Sequence, residues 1–173
     1  MALRLEEKKA VVAEVNAVAG EAISAVAAEY RGLSVSEMTA LRTEARNAGV
    51  YLRVVKNTLA RRAISGTEFE CMTETLKGPI LLAFSSEDPG AAARVIKDFA
   101  REHDALKAVS LSTGGELYPG AELDRLASLP TMDEARAMLL GVLEAPASKL
   151  ARTLAEPSAM LARTLDAYGR QAA

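Results

Sequence analysis

Apolar positions recur along this chain with the periods of helix and strand in alternation. Over residues 3–20, Val11, Val15, Val18 and then Ala22 share one face at helical spacing, and Gly20 weakens the helix end. Ile23 to Tyr30 is a short apolar run closed by Arg31-Gly32, which predicts a buried strand. Ser34 and Glu37 are spaced as a capping box. The helix they open turns Met38, Leu41, Ala45 and Ala48 inward and stops at Gly49. Val50 to Val55 predicts the next strand, and Asn57 or Thr58 is placed to cap a short helix that stops near Gly66. Gly78-Pro79 introduces a third strand, Ile80 to Phe84. Asp88-Pro89 then reads as a cap followed by a proline at the first helical position. That helix buries Ala92, Val95, Ile96 and Phe99. Lys107 to Thr113 predicts a fourth strand, ended by Gly114-Gly115, with a short helix around residues 121–127. The alternation predicts an α/β fold: a single globular domain, residues 1–130, with a small mixed sheet and flanking helices.

The last 43 residues, 131–173, follow another rule. Thr131 and Glu134 suggest a second capping box, and the rest reads as one long helix segmented by Pro146 and Pro157. Residues 145–155 repeat as residues 156–166: Pro146 matches Pro157, Leu150 matches Leu161, and Arg152-Thr153-Leu154 matches Arg163-Thr164-Leu165. A further step back finds Leu139 and Leu143 without the proline. A period of 11 is about 3.67 residues per turn, close to the natural helix, so the three leucine pairs stay near one face. Such a helix would span about 64 Å, whereas a 130-residue globule has a radius of gyration of about 14 Å. The globule is too small to cover the stripe, and each exposed leucine forgoes roughly 1.5–3 kcal/mol of burial. The stripe predicts repeated docking sites for another protein. Folding back onto the globule and a homodimeric coiled coil stay open as alternatives, although repetition of whole segments argues against the coiled coil.

Charge adds a second surface. Net charge is −2, yet residues 1–62 are net +3, 63–130 net −5 and 131–173 neutral. Residues 53–62 hold Arg53, Lys56, Arg61 and Arg62 and no acid. A local basic patch on an acidic protein points to one anionic partner. Lys56 beside a helix start suits a phosphate, and Arg31-Gly32 ends another strand. If the two strands are neighbours, both motifs share one edge. A merely solvated basic surface accounts for the same charges.

Only 4% of residues are aromatic, and there is no Trp. No uncharged run approaches the roughly 20 residues that cross a bilayer, and the charged N-terminus is unlike a secretory signal. With a single cysteine, Cys71, a cytoplasmic location is expected. No residue set suggests catalysis, a cofactor or a metal. The lone His103 reads as an exposed helix end, Cys71 as a buried structural thiol, and Gly114-Gly115-Glu116 as a turn without a nucleotide-binding pattern. The acids of residues 68–74 read as a solvated helix face. A small α/β enzyme with an oligomerisation helix is the alternative class.

Tyr30-Arg31-Gly32-Leu33, Leu41-Arg42, Ala48-Gly49-Val50, Val54 to Leu59, Gly78-Pro79, Asp88-Pro89 and Leu126 to Pro130 occur in an order that closely resembles the bacterial large-subunit ribosomal protein of the stalk base, universal ribosomal protein ten. The resemblance runs over essentially the whole chain. It implies a non-enzymatic structural constituent of the large ribosomal subunit. The N-terminal domain would bind 23S rRNA at the GTPase-associated region, beside ribosomal protein eleven. The tail would hold dimers of stalk protein seven/twelve, which recruit GTP-bound translation factors. Carried over by position, the rRNA contacts implied are Arg31, Gly32, Lys56, Asn57, Thr58 and Arg61, then Lys8, Lys9, Arg53 and Arg62. The stalk-protein contacts are Leu139, Leu143, Leu150, Leu154, Leu161 and Leu165, with helix kinks at Pro146 and Pro157. Three leucine pairs imply three dimers, with two as the alternative count because the first pair lacks its proline. Binding to its own messenger RNA would use the same basic surface.

Overall fold

The computed structural model describes residues 5–103 and 105–172, so positions 3 and 4 of the predicted first helix lie outside the described residues. The chain divides into two compact units, residues 1–131 and 132–173.

In the first unit, α1 (Leu5–Glu21) leads into β1 (Ser24–Glu29), α2 (Val35–Asn47), β2 (Val50–Val54) and α3 (Asn57–Ile64). A 3₁₀ turn, Glu68–Glu74, precedes β3 (Ile80–Ser85), α4 (Ala91–Glu102), β4 (Lys107–Thr113) and β5 (Glu116–Pro119). A second 3₁₀ turn, Gly120–Glu122, runs into α5 (Leu123–Ala127). The sheet order is β2-β3-β1-β4-β5. Every ladder is antiparallel, where the alternation of elements had suggested a mixed sheet.

Successive side chains of a strand face opposite ways, so the sheet feeds two cores. On one face Ala25, Ala27, Leu82 and Phe84 pack with Val15 of α1, Leu59 and Ala63 of α3, and Phe69 and Met72. On the other, Val26, Ala28, Leu81 and Ala83 pack with Leu41 and Ala45 of α2 and Ala92, Ile96 and Phe99 of α4. The alanines of β1 let helices approach closely on both sides, which suits a domain poor in aromatics.

The Ser34/Glu37 capping box forms: the Ser34 hydroxyl accepts from the Glu37 amide, and the Glu37 carboxylate accepts from the Ser34 amide at 2.7 Å. Two expectations are corrected. Lys56, not Asn57 or Thr58, holds the N-cap position of α3, without a side-chain cap. Helix α4 starts at Ala91 with Gly90 at its N-cap; the Asp88 carbonyl instead accepts from the Ser85 hydroxyl at 2.6 Å and from the Ala91 amide. Gly114-Gly115 ends β4 in a turn as expected, and the turn leads into β5, a strand the sequence pattern had not predicted. The acids Glu68, Glu70 and Glu74 are exposed as expected, on a 3₁₀ turn whose Phe69 and Met72 are buried.

The second unit is a single helix, α6 (Met132–Ala172), with Pro146 and Pro157 inside it. The helix runs unbroken through both prolines, so neither interrupts it as expected. A proline removes one i→i−4 bond, and the remaining bonds on either side hold the turn together.

Candidate functional site

Because β3 runs antiparallel to both β1 and β2, four strands share one end of the sheet. Glu29 pairs with Ile80 and with Lys107, and Val54 pairs with Leu81. The ends of β1 and β2 therefore meet the starts of β3 and β4. β1 and β2 are not neighbours, since β3 lies between them; the shared feature is a sheet end, not a sheet edge. The Tyr30 amide donates to the Pro79 carbonyl at 3.3 Å, and Asn57 Nδ2 donates to the Gly78 carbonyl at 2.9 Å. These bonds tie the Arg31-Gly32 turn and the Lys56-Asn57 turn to the start of β3. Gly32 has φ 98°, and a Cβ there would sit 3.4 Å from that of Ala105. Only glycine allows this left-handed, close approach without strain.

An open concavity of about 430 Å³ lies here, lined by Tyr30, Val55, Lys56, Asn57, Thr58 and Pro79 among others. Lys56 and Arg31 are exposed, and Arg31 makes a loose ion pair to Glu29, 3.5 Å. Two further exposed cations, Lys77 and Lys107, stand at the starts of β3 and β4. Sequence reasoning missed them because both lie in the net-acidic middle of the chain. Tyr30, also missed as a site residue, is half-buried and lines the same concavity as Lys56. An aromatic adjoining a basic turn was the available signal.

The remaining basic candidates separate. Lys8, Lys9 and Arg62 line a groove between α1 and α3 together with Val12, Asn16 and Leu59. Arg53 is engaged within the fold: its Nη1 donates to the Tyr51 hydroxyl at 2.8 Å and pairs with Glu14. The Tyr51 hydroxyl in turn donates to Glu14 Oε1 at 2.7 Å. The bond from Arg53, then that from Tyr51, holds the Glu14 carboxyl below its ordinary value. Arg61 is half-buried, and its Nη2 donates to the Leu76 carbonyl at 2.8 Å. Both arginines act first as structural clasps.

In α6, taken by itself, the six candidate leucines are all exposed, from 66% at Leu150 to 83% at Leu154. At about 100° per residue they fall within about 80° of arc, and Tyr168, 74% exposed, extends the same face.

His103 is half-buried rather than exposed. It caps the end of α4, stacks on Phe99 at 4.2 Å and places Nε2 3.7 Å from Glu37. Cys71 is half-buried rather than buried, with its thiol 3.3 Å from the Ser112 hydroxyl. Among the described residues no group of side chains could hold a metal, and no helix is long and apolar enough to cross a membrane.

The family described as ribosomal protein L10 matches residues 4–101, and that described as ribosomal protein uL10 C-terminal region matches residues 129–173. The chain is 61% identical to the large ribosomal subunit protein uL10 of Alkalilimnicola ehrlichii over all of both chains. It is 62% identical to that of Thioalkalivibrio sulfidiphilus over 90% of this chain and 89% of the relative. It is 59% identical to that of Halorhodospira halophila over 96% and 95%.

Proposed function

The chain belongs to the ribosomal protein L10 family of the large ribosomal subunit, structural proteins rather than enzymes, and from that premise we propose that it is the RNA-anchored base of the stalk. The globular unit, residues 1–130, grips 23S rRNA at the GTPase-associated region, beside ribosomal protein eleven. The helix from residue 131 onward holds dimers of stalk protein seven/twelve, one at each leucine pair, and these recruit GTP-bound translation factors.

The observation that carries the proposal is a 41-residue helix whose six regularly spaced leucines are at least 66% exposed. An apolar face of that length on a lone chain invites aggregation, and a partner that covers it removes the hazard. The 11-residue period keeps the pairs nearly in line along α6, whereas a two-stranded left-handed coil needs a 7-residue period.

For the RNA grip, the sheet end offers Arg31, Lys56, Lys77 and Lys107 together with the Tyr30 ring, with Gly32 allowing close approach of the backbone. Cations contact phosphates, while the ring and the Asn57 and Thr58 turn can meet an unstacked base. Lys8, Lys9 and Arg62 extend the footprint along α1 and α3. Arg53 and Arg61 contribute by holding this surface in shape.

Co-expression with the stalk protein, followed by native mass measurement, tests the docking. The full chain should carry three dimers, a chain ending at Ala155 two, and one ending at Glu144 one. Four partner copies on the full chain would reduce the count to two dimers. A chain that associates only with itself through α6 would replace the scaffold with a homodimer.

A further inference from the structure

The prolines of α6 do more than mark its repeats. Pro146 and Pro157 have no N–H, so the carbonyls of Val142 and Thr153 lose their i+4 donors although the helix continues through both points. Like the leucine pairs, these two carbonyls lie 11 residues apart. At about 100° per residue, both proline rings fall within about 20° of Leu139, at the margin of the leucine arc, and the two carbonyls lie about 40–60° outside it. The nearby side-chain donors are engaged elsewhere: the Thr153 hydroxyl donates to Leu150 at 2.8 Å and the Ser158 hydroxyl to Ala155 at 3.0 Å. Among the described residues no side chain meets either carbonyl. Val142 itself is exposed on the helix surface.

We propose that the Val142 and Thr153 carbonyls are hydrogen-bond acceptors for the docked stalk-protein dimers, so each prolyl junction supplies a polar contact at the rim of an apolar one. This rests on the docking role of α6. The occupant implied is an apolar groove with one donor at its margin: a backbone N–H, or the side chain of Lys, Arg, Asn or Gln. A dry leucine contact flanked by a directional bond resembles the core-and-rim build of stable interfaces. It also fixes register. Leucines spaced by 3.67 residues per turn allow a dimer to slip along the helix, and an acceptor present once per junction does not.

The test exploits opposite signs. In the full chain with Leu139, Leu143, Leu161 and Leu165 changed to alanine, the 150/154 pair remains with the Thr153 carbonyl beside it. Pro157→Ala in that background restores the internal bond and raises the helicity of the free chain. If only apolar contact matters, this preorganisation tightens binding of the purified stalk-protein dimer. If the carbonyl is a contact, binding weakens about five-fold. Unchanged or tighter binding overturns the proposal. A second readout separates the carbonyl from any change in helix direction: the carbonyl carbon shift of Thr153, observed through the Leu154 amide, should move downfield when the dimer binds. A shift that stays put refutes the contact even if affinity falls. Absence of any binding to the unaltered chain would instead sink the docking role itself.

Discussion

Leu154→Ala is expected to separate docking from folding. Leu154 is 83% exposed, and the substitution removes three carbons, roughly 2.4 kcal/mol of transfer free energy at about 0.8 kcal/mol each. Because most of that surface is still in water, about 2 kcal/mol remains to be gained when a partner covers it. Its loss weakens the dimer at that segment roughly 30-fold. The fold should not notice: leucine and alanine differ by only a few tenths of a kcal/mol in helix propensity. Leu41→Ala is the counterpart. Leu41 is fully buried between α2 and the sheet, and its truncation should cost about 2–5 kcal/mol of stability. Urea unfolding followed by tyrosine fluorescence reads the globular unit, which holds three of the four tyrosines, and calorimetric titration with the stalk protein reads docking. If Leu154→Ala destabilises the globular unit as Leu41→Ala does, or leaves docking untouched, the scaffold reasoning fails.

Gly120→Ala should cost about 3 kcal/mol in urea unfolding, because a Cβ at Gly120 would lie 2.0 Å from the Ala108 carbonyl oxygen of β4. Gly141→Ala, with nothing within 4 Å, should instead raise the helicity of α6. The Glu37 carboxyl is held below the ordinary glutamate range, first by the Ser34 amide and then by the Ser34 hydroxyl. A depressed carboxylate contributes stability above its unfolded pKa and loses it as pH falls through the folded value. Melting curves of Glu37→Ala should therefore fall less steeply than wild type below about pH 4.5; parallel curves would exclude the linkage. Lys77→Gln and Lys107→Gln should each lower the salt slope of rRNA-fragment binding by roughly 0.7–0.9. Arg53→Gln, whose guanidinium is already committed to Glu14 and Tyr51, should lower stability and leave the slope nearly unchanged. Circular dichroism should show more helix in the chain–stalk protein complex than in the separated components; equal signals would mean α6 holds itself.

What the sequence made legible follows from which interactions are local. The bounds of β4 agree to the residue, and the α2 capping box forms, because period and capping act over a few positions. β5 escaped notice: four residues, Glu116-Leu117-Tyr118-Pro119, ending in proline at a sheet edge carry too little pattern. Asp88-Pro89 misled because Ser85 captures the Asp88 carbonyl and the chain makes one more turn before the helix. The sheet end was half legible. Arg31 and Lys56 stand in recognisable turns, whereas Lys77 and Lys107 join them only through an antiparallel topology that no local pattern specifies. Conversely, the charge of residues 53–62 overstated the free cations, since Glu14 and the Leu76 carbonyl claim two of them from elsewhere in the fold.

The two units divide the demands on a scaffold. Both cores are built from residues 11–127 and close without any α6 leucine, so the globular unit has no need of the stripe. The stripe, conversely, has little to hold it as a helix. Its two internal prolines each oppose helix by roughly 3 kcal/mol. Its ion pairs Asp133–Arg136, Glu156–Arg163 and Asp166–Arg170 are exposed and contribute a few tenths of a kcal/mol each. Local terms therefore favour helix too weakly to outweigh the prolines, and the burial of six leucines by a partner, at roughly 1.5–3 kcal/mol apiece, exceeds that opposition. Under the proposed docking role, coupling helix order to docking in this way would let the globular unit stay anchored while α6 gains and loses its cargo.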